Sequence, residues 1–516
     1  MHRIGTLAVV IGLLASGASP AQAAPSCFGR RPTIVGTDDD DTLRGTPGRD
    51  VIFAGRGDDI VHARGGNDLI CGGSGEDRGL YGDAGNDRID AGTSERTTLV
   101  FGGAGDDFLY DEPGGGDGQE MFGGPGDDIL KAGDSNGTYI DVLDGGPGND
   151  GMQQGRAEGV FVGGEGDDVM RGGRWNGDRD VLLLNDAPGP VQLDMAAGTM
   201  SGWGSDTIEE LEIVRGGAFD DTMAGDDERN FFVGGDGDDT LSGAGDDDCL
   251  LGSSVDGGDW SRCLFPYELK PASGDDTLSG GDGDDVLTGG DGNDDHTGGP
   301  GVDTAWFASS PVPVTVDLAA GSATGEGTDV LREVEGAVGS NFADTLTGTA
   351  GADVLIAGIT GPTAPAGYQG TGGDIMRGLE GDDRLDVVGG ADADGGAGND
   401  TVTYAWAGFG ESFVVDLPND SDSGDNTLTD IENVTGPGWA KVTIHGDESA
   451  NVLTGQGGEN ELFGYGGDDL LTGFYGNDDL DGGDGTDALD GGPDRSSGYD
   501  VCLNGETVED CDWFSA

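Results

Sequence analysis

Positive charge is scarce in this chain. Its 516 residues include 24 lysines and arginines against 101 aspartates and glutamates, for a formal net charge of -77. A surface of that sign repels a phosphate backbone, which excludes nucleic acid as a partner. Histidine is scarcer still, at 4 residues. His2 lies in the N-terminal leader, and His62, His296 and His445 lie at or beside repeat positions. The chain has no His-Glu-x-x-His and no Cys-x-x-Cys, and its Gly-x-Ser-x-Gly string, Gly133-Asp134-Ser135-Asn136-Gly137, has no histidine with an evident pocket to serve it. The usual zinc-hydrolase and zinc-ribbon chemistries therefore have no carrier. Long apolar runs are missing as well. The run at residues 4–14 is too short to span a membrane as a mature helix, and no later stretch matches it. With 34% hydrophobic residues, a charge this large ordinarily leaves a chain disordered.

Glycine is what the chain has, at 108 residues. It does not fall at every third position, so collagen is excluded. Helix is disfavoured throughout, because interior glycine costs about 1 kcal/mol relative to alanine. Instead a nine-residue phrase recurs: Gly-Gly-x-Gly-x-Asp-x-apolar-x. Gly280-Gly281-Asp282-Gly283-Asp284-Asp285-Val286-Leu287-Thr288 is one complete copy, and the stretch from Gly234 to Ser242 is another. Gly36, Gly45, Ala54, Ala63 and Gly72 fall nine apart, as do Gly446, Gly455, Gly464, Gly473, Gly482 and Gly491. Roughly thirty intact or degenerate copies follow from that template.

Six positions of the phrase form a turn and three form a strand. Glycine at the first, second and fourth positions allows backbone angles that side chains forbid and lets carbonyl oxygens converge. Calcium takes roughly six to eight hard oxygen ligands at about 2.3–2.6 Å, which carbonyls plus the sixth-position aspartate can supply. The eighth residue points inward, as Leu278, Leu287, Leu471, Leu480 and Leu489 would. Two phrases close one coil of 18 residues, so alternate phrases stack on one edge. Asp285 is expected over Asp303, Asp276 over Asp294, Asp469 over Asp487, and Asn460 over Asp478.

The candidate metal ligands follow from the phrase. In the first block they are Gly36, Asp41, Gly45, Gly48, Asp50, Gly57, Asp59, Gly66, Asp68, Gly75, Asp77, Gly85 and Asp87. In the irregular second block they are Gly105, Asp107, Gly126, Asp128, Gly148, Asp150, Gly166 and Asp168. The central block offers Asp221, Gly237, Asp239, Gly274, Asp276, Gly281, Gly283, Asp285, Gly290, Gly292, Asp294, Gly301 and Asp303. Further on stand Asp344, Gly351, Asp353, Gly381, Asp383, Gly398 and Asp400, then Gly467, Asp469, Gly476, Asp478, Gly485 and Asp487. Asn230 and Asn460 replace the aspartate and remove a charge, so weaker half-sites are expected there. His296 and Ala305 occupy apolar positions.

A longer, quieter repeat separates the blocks. Val191-Gln192-Leu193-Asp194 leads to Asp206-Thr207-Ile208 and Leu211-Glu212. Val314 to Leu318 leads to Asp329-Val330-Leu331 and Val334-Glu335, and Val414 to Leu417 leads to Asn426-Thr427-Leu428 and Ile431-Glu432. Their alternating apolar residues read as short strands able to pack a small core. The expected organisation is a signal peptide at 1–24, β-roll blocks at 27–92, 93–183, 216–304, 339–401 and 443–516, and β spacers at 184–215, 305–338 and 402–435. The block at 216–304 carries a cysteine-bounded insert, and the last one ends in a cap. The leader, with a cleavage site at Ala21-Gln22-Ala23, predicts export. Proximity pairs Cys249 with Cys263 and Cys502 with Cys511, leaving Cys27 with Cys71. Oxidised staples suit an exported chain. Trp203, Trp306 and Trp406, in or beside the longer repeat, read as local core, with a sugar-binding face as the alternative.

In-phase copies of this phrase resemble the RTX (repeats-in-toxin, hemolysin-type) calcium-binding proteins, secreted bacterial proteins of which the nonapeptide is a signature. The resemblance covers about two-thirds of the chain. It implies an all-β fold: a parallel β-roll, right-handed and β-helix-like, in blocks separated by small β modules. It also implies Ca²⁺ as cofactor, on the order of ten to twenty ions shared between stacked turns. Many RTX proteins leave the cell through a C-terminal signal, and the leader and cysteine pairs here depart from that route. The EF-hand is excluded, because no twelve-residue loop ends in glutamate before a helix. RTX blocks often accompany an enzyme, but no non-repeat stretch of domain size exists here. The expectation is a non-enzymatic, secreted protein that folds on calcium into an acidic rod of structural or adhesive use. Extracellular glycans or cell-surface components are the expected macromolecular partners. The alternatives are a polysaccharide lyase or epimerase and a glycan-binding protein.

Overall fold

Three consecutive strand-forming residues at positions seven to nine, bounded by turns, leave room for strands of three residues. The computed structural model has this form: strands such as Val286–Thr288, Leu470–Thr472 and Ala488–Asp490. It describes residues 25–93, 97–111, 118–134, 140–173, 179–252, 274–358, 373–404, 412–438, 441–493, 500–511 and 513–515. The expected leader at 1–24, Cys263, Trp406 and Trp260, a residue between Cys249 and Cys263 that reads as a block cap, lie outside the described residues. Within them there is no α-helix, only a 3₁₀ turn at Leu417–Asn419. No helix of the described residues is long and apolar enough to cross a membrane.

Outside the longer repeats, each strand pairs in parallel with the next but one. Thr277–Asp282 pairs with Asp295–Thr297, with Leu278 opposite His296, and Val286–Thr288 pairs with Thr304–Trp306, with Leu287 opposite Ala305. Successive strands therefore alternate between two parallel sheets, one of which joins 29 strands among the described residues. This is the expected parallel β-roll. The middle residue of each strand faces the space between the sheets because side chains alternate along a strand. Leu278, Leu287 and Leu471 are fully buried, and Leu480 and Leu489 nearly so. Fully burying a leucine stabilises by roughly 1.5–3 kcal/mol. A coil contributes only two such side chains, so a coil has no core without neighbours.

The core forms two runs of contacting side chains, one from Ile52 to Leu287 and one from Ala305 to Cys502. Between Leu278 and Leu331 the inward position belongs to His296, which is fully buried. Trp306 is buried, and Trp203 packs against the core from its edge.

The longer repeats join the same sheets. Ser205–Glu209 lies parallel to Val169–Arg171 and antiparallel to Thr199–Ser201, which is antiparallel to Gln192–Asp194. Gln192–Asp194 then lies parallel to Thr222–Ala224. On the opposite sheet Val181–Leu183 pairs directly with Ile213–Arg215. Each longer repeat thus adds two strands to one sheet and none to the other. The segments at Thr315–Arg332 and Ser412–Thr429 repeat this pairing. Val191, Leu193, Met200 and Ile208 belong to the same buried run as the neighbouring coils.

Disulfides join Cys502 to Cys511, a pair that proximity suggests, and Cys27 to Cys71, the pair left over. Cys249 is buried in the strand Cys249–Leu251.

Candidate metal centres

The sixth-position aspartates stand in columns along the two edges of the roll. The amide N–H of Asp107 donates to Asp128 Oδ1 at 2.7 Å, Asp128 donates to Asp150 at 2.7 Å, and Asp150 donates to Asp168 at 2.8 Å. The column runs from Asp50 through Asp68, Asp87 and Asp107 to Asp168 and on to Asp206. Further columns join Asp221, Asp239, Asp276, Asp294 and Asp329, and Asp344 to Asp374. The other edge joins Asp41, Asp59 and Asp77, then Asp248, Asp285 and Asp303, then Asp353, Asp383 and Asp400. Asp469 stands below Asp487, and Asn460 below Asp478. All four stackings expected from the 18-residue coil are present.

One oxygen of each carboxylate is used in this ladder. The other is not. Oδ2 of Asp59, Asp68, Asp87, Asp107, Asp128, Asp150, Asp168, Asp239, Asp285, Asp303, Asp383, Asp400, Asp469 and Asp487 is buried without a hydrogen-bond partner. Burying an uncompensated carboxylate is strongly unfavourable. Burial accordingly pushes Asp77, Asp107, Asp150, Asp168 and Asp276 up to about 7, with neighbouring carboxylates adding to the effect. Asp239 and Asp294 are pushed up to about 8 by the same two causes.

The glycines explain why that oxygen is stranded. A Cβ on Gly123, the first position, would meet Asp128 Oδ2 at 2.5 Å and the carbonyl of Gly145 at 2.6 Å. The second glycine, Gly124, turns its N–H away to the carbonyl of Gly145 in the next coil. At the fourth position, Gly126 has a φ of +148°, and the carbonyl of Gly105 stands where a Cβ would be. Of the other candidate glycines, Gly57, Gly66, Gly75, Gly85, Gly105, Gly148, Gly166, Gly237, Gly274, Gly283, Gly292, Gly301, Gly381, Gly398, Gly467, Gly476 and Gly485 likewise press on backbone of the preceding coil. Gly48 and Gly351 do not: they lie in open turns. Gly36 and Gly45 meet carbonyls of the next coil, Gly281 meets that of Ala244, and Gly290 has a φ of +106°.

A second kind of turn was not foreseen. Where the second glycine is replaced by Thr or Ser, the protein satisfies the carboxylate itself. Thr46 donates its N–H and its hydroxyl to Asp50 Oδ2, at 2.6 and 2.9 Å. Thr37 does the same for Asp41, Ser340 for Asp344 and Thr349 for Asp353. Gly217 donates its N–H to Asp221 Oδ2 at 3.1 Å. These turns sit where blocks open, at the N-terminus and after the first two longer repeats. Asparagines are satisfied too. Asn230 accepts the N–H of Asp226, and Asn451 that of Asp447, at 2.9 and 2.8 Å. Asn460 accepts from Val442 and donates to the carbonyl of Gly473.

The columns also hold aspartates outside the sequence-derived set: Asp141, Asp180, Asp206, Asp248, Asp329, Asp374 and Asp500. Each stands two residues before an inward apolar residue, from Leu143 to Cys502. That pair alone would have marked them, without the glycines.

Among the described residues no three His, Cys, Asp or Glu side chains converge on one point. A cation at these turns must therefore take its remaining ligands from backbone carbonyls, which the packed glycines bring alongside. Stranded, electron-rich, hard oxygen atoms in that setting fit calcium. The fold and its edges define a cation-binding parallel β-roll.

The family model for the RTX calcium-binding nonapeptide repeat (four copies) matches at residues 35–70, 44–79, 113–152, 160–174, 215–251, 272–305, 338–359, 443–471 and 463–495. The chain thus carries RTX calcium-binding nonapeptide repeats in multiple copies along its length. The matches leave out residues 175–214, 306–337 and 360–442, which contain the three longer repeats. No curated protein matches the chain.

Proposed function

We propose that this is a secreted protein whose calcium-dependent folding into an acidic β-roll is its activity, used structurally or adhesively outside the cell. The observation that carries the reading is the set of buried, partnerless Oδ2 atoms along both edges. Bound calcium would supply the positive charge these carboxylates lack. Asp68, Asp87, Asp107, Asp128, Asp150 and Asp168 would hold ions on one edge, and Asp285, Asp303, Asp383, Asp400, Asp469 and Asp487 on the other, with glycine carbonyls completing each shell. Asp41, Asp50, Asp344 and Asp353, already bonded by Thr or Ser, would fold their turns without an ion.

Charge repulsion between stacked carboxylates opposes the metal-free fold, and its relief offsets part of the chain entropy lost on folding. Extracellular modules bind calcium at about 10⁻⁴–10⁻³ M, so the chain would stay open at cytosolic calcium and fold after export. Far-UV circular dichroism of the processed chain in chelator and in millimolar calcium tests this. A coil spectrum converting to a β spectrum is expected. A β spectrum unchanged by chelator would refute it.

A second reading, glycan binding, rests on a recess of about 540 Å³ lined by Asp416, His445, Asp447, Glu448 and Tyr465. Tyr465 is 48% exposed, and its hydroxyl lies 3.0 Å from His445 Nδ1. Such an aromatic flanked by carboxylates suits a sugar ring. A glycan array with the calcium-loaded chain and with Tyr465→Ala decides it, since only a sugar site loses signal in the variant.

A further inference from the structure

We infer that Glu335, Glu432 and Glu506 are cation ligands, each forming an end site that the nonapeptide phrase does not encode. The inference rests on the reading that calcium occupies the columns.

Each of these glutamates, like Glu212 at the end of the first longer repeat, accepts the amide N–H of the last aspartate of its column. Asp180 donates to Glu212 Oε2 at 2.9 Å, Asp303 to Glu335 at 3.1 Å, Asp400 to Glu432 at 2.8 Å and Asp487 to Glu506 at 2.7 Å. Three of them close a longer repeat and the fourth closes the final block. The sixth-position carboxylate is thus carried one coil past the last aspartate, by a side chain one methylene longer.

The turn explains the extra methylene. In a nonapeptide coil the carbonyl that lies on the first glycine of the previous coil precedes the carboxylate by five residues: Ala54 lies on Gly36 and Asp59 follows. At the four ends the carbonyls of Glu210, Glu333, Asp430 and Asn504 lie on Gly172, Gly298, Gly395 and Gly482, and the glutamate follows two residues later. All four of these residues have left-handed backbones, with φ of +58°, +50°, +48° and +54°. The turn is three residues shorter, and glutamate recovers the reach that aspartate would lose.

A second observation points to a ligand. Asp303 and Asp400 are fully buried and Asp487 is 1% exposed, and Oδ2 of each has no partner. That oxygen lies against the same glycine on which the left-handed carbonyl rests: Gly298, Gly395 and Gly482. Two carboxylates and a carbonyl therefore meet at each of these ends. At the Glu212 end Asp180 Oδ2 instead accepts the N–H of Gly173 at 2.6 Å, so that turn closes without an ion. A hydrogen-bond cap alone would need no charge, since a glutamine oxygen accepts an N–H equally well. A full negative charge beside a buried carboxylate is unfavourable without a cation.

The test counts calcium. The full processed chain and the variant Glu335→Gln/Glu432→Gln are equilibrated at the same millimolar free calcium, and bound ions per chain are measured by mass spectrometry. Glutamine keeps the cap and removes the charge. The expected result is a loss of about two ions per chain, one per glutamate, with the β spectrum retained. An equal ion count in a folded variant overturns the inference and leaves the column reading intact. A wild-type chain that binds no calcium refutes the column reading itself. Should the double variant lose its β spectrum, Glu506→Gln in the last coil is counted instead. One ion fewer supports the inference, and an unchanged count overturns it.

Discussion

The amide of Asp168 donates to the carboxylate of Asp206, 38 residues along the chain, at 2.9 Å. The bond crosses the first longer repeat, where an ordinary coil would separate its partners by 18 residues. The added strands are looped out between the two residues, so the edge column passes the interruption unbroken.

Asp206→Ala removes that acceptor and strands a buried N–H. A hydrogen bond to a charged group is worth about 1.5–3 kcal/mol, and the calcium-loaded chain is expected to lose stability of that size. Thermal unfolding at fixed free calcium measures it. A midpoint equal to wild type would show that the column does not depend on continuity there.

The columns were legible because aspartate recurs nine residues apart and two residues before an inward apolar side chain, as at Asp285 and Leu287. Asp206 and Asp329 escaped because no glycine pair precedes them. The satisfied turns were hidden for another reason. That Thr46 and Thr349 replace a glycine is visible, but that their hydroxyls turn onto Asp50 and Asp353 depends on a turn conformation that spacing does not specify. The merging of the longer repeats into the main sheets was also beyond the pattern, since alternation marks strands but not their partners.

Acidity should replace calcium in part. Asp239 and Asp294 are held at about 8, and Asp107 and Asp276 at about 7, by burial and by neighbouring carboxylates. Their unfolded value is near 3.9. A folded pKa above the unfolded one gives stability that is fully present below about pH 4 and lost as pH rises through 7 to 8. In chelator, β structure is therefore expected to increase as pH falls from 8 toward 4. Circular dichroism across that range checks the sign, and a metal-free fold that is stronger at pH 8 would contradict it.

Gly123→Ala drives a methyl group into Asp128 Oδ2 and the Gly145 carbonyl. Overpacking of this kind costs about 1–3 kcal/mol. Gly48→Ala meets nothing within 4 Å and should stay within about 0.5 kcal/mol of wild type. Parallel melts of the two variants in calcium compare a packed turn with an open one, and equal midpoints would count against the role given to the first glycine.

His296 is fully buried, and neither ring nitrogen has a partner. It stacks loosely on Phe307, with ring centroids 6.3 Å apart. An unbonded polar group in such a site costs about 1–3 kcal/mol. His296→Leu should raise stability by that order and join the two core runs, as differential scanning calorimetry would register. A lower melting temperature would mean that the imidazole is bonded.

The central claim is that metal and fold are one equilibrium, with stranded aspartate oxygens as the link. Titrating calcium into the chelated, processed chain while recording heat and circular dichroism together tests it most directly. Many ions should bind at sub-millimolar to millimolar calcium, with β signal rising in step with uptake. Absence of uptake at millimolar calcium, or uptake by a chain already fully folded, would contradict the account.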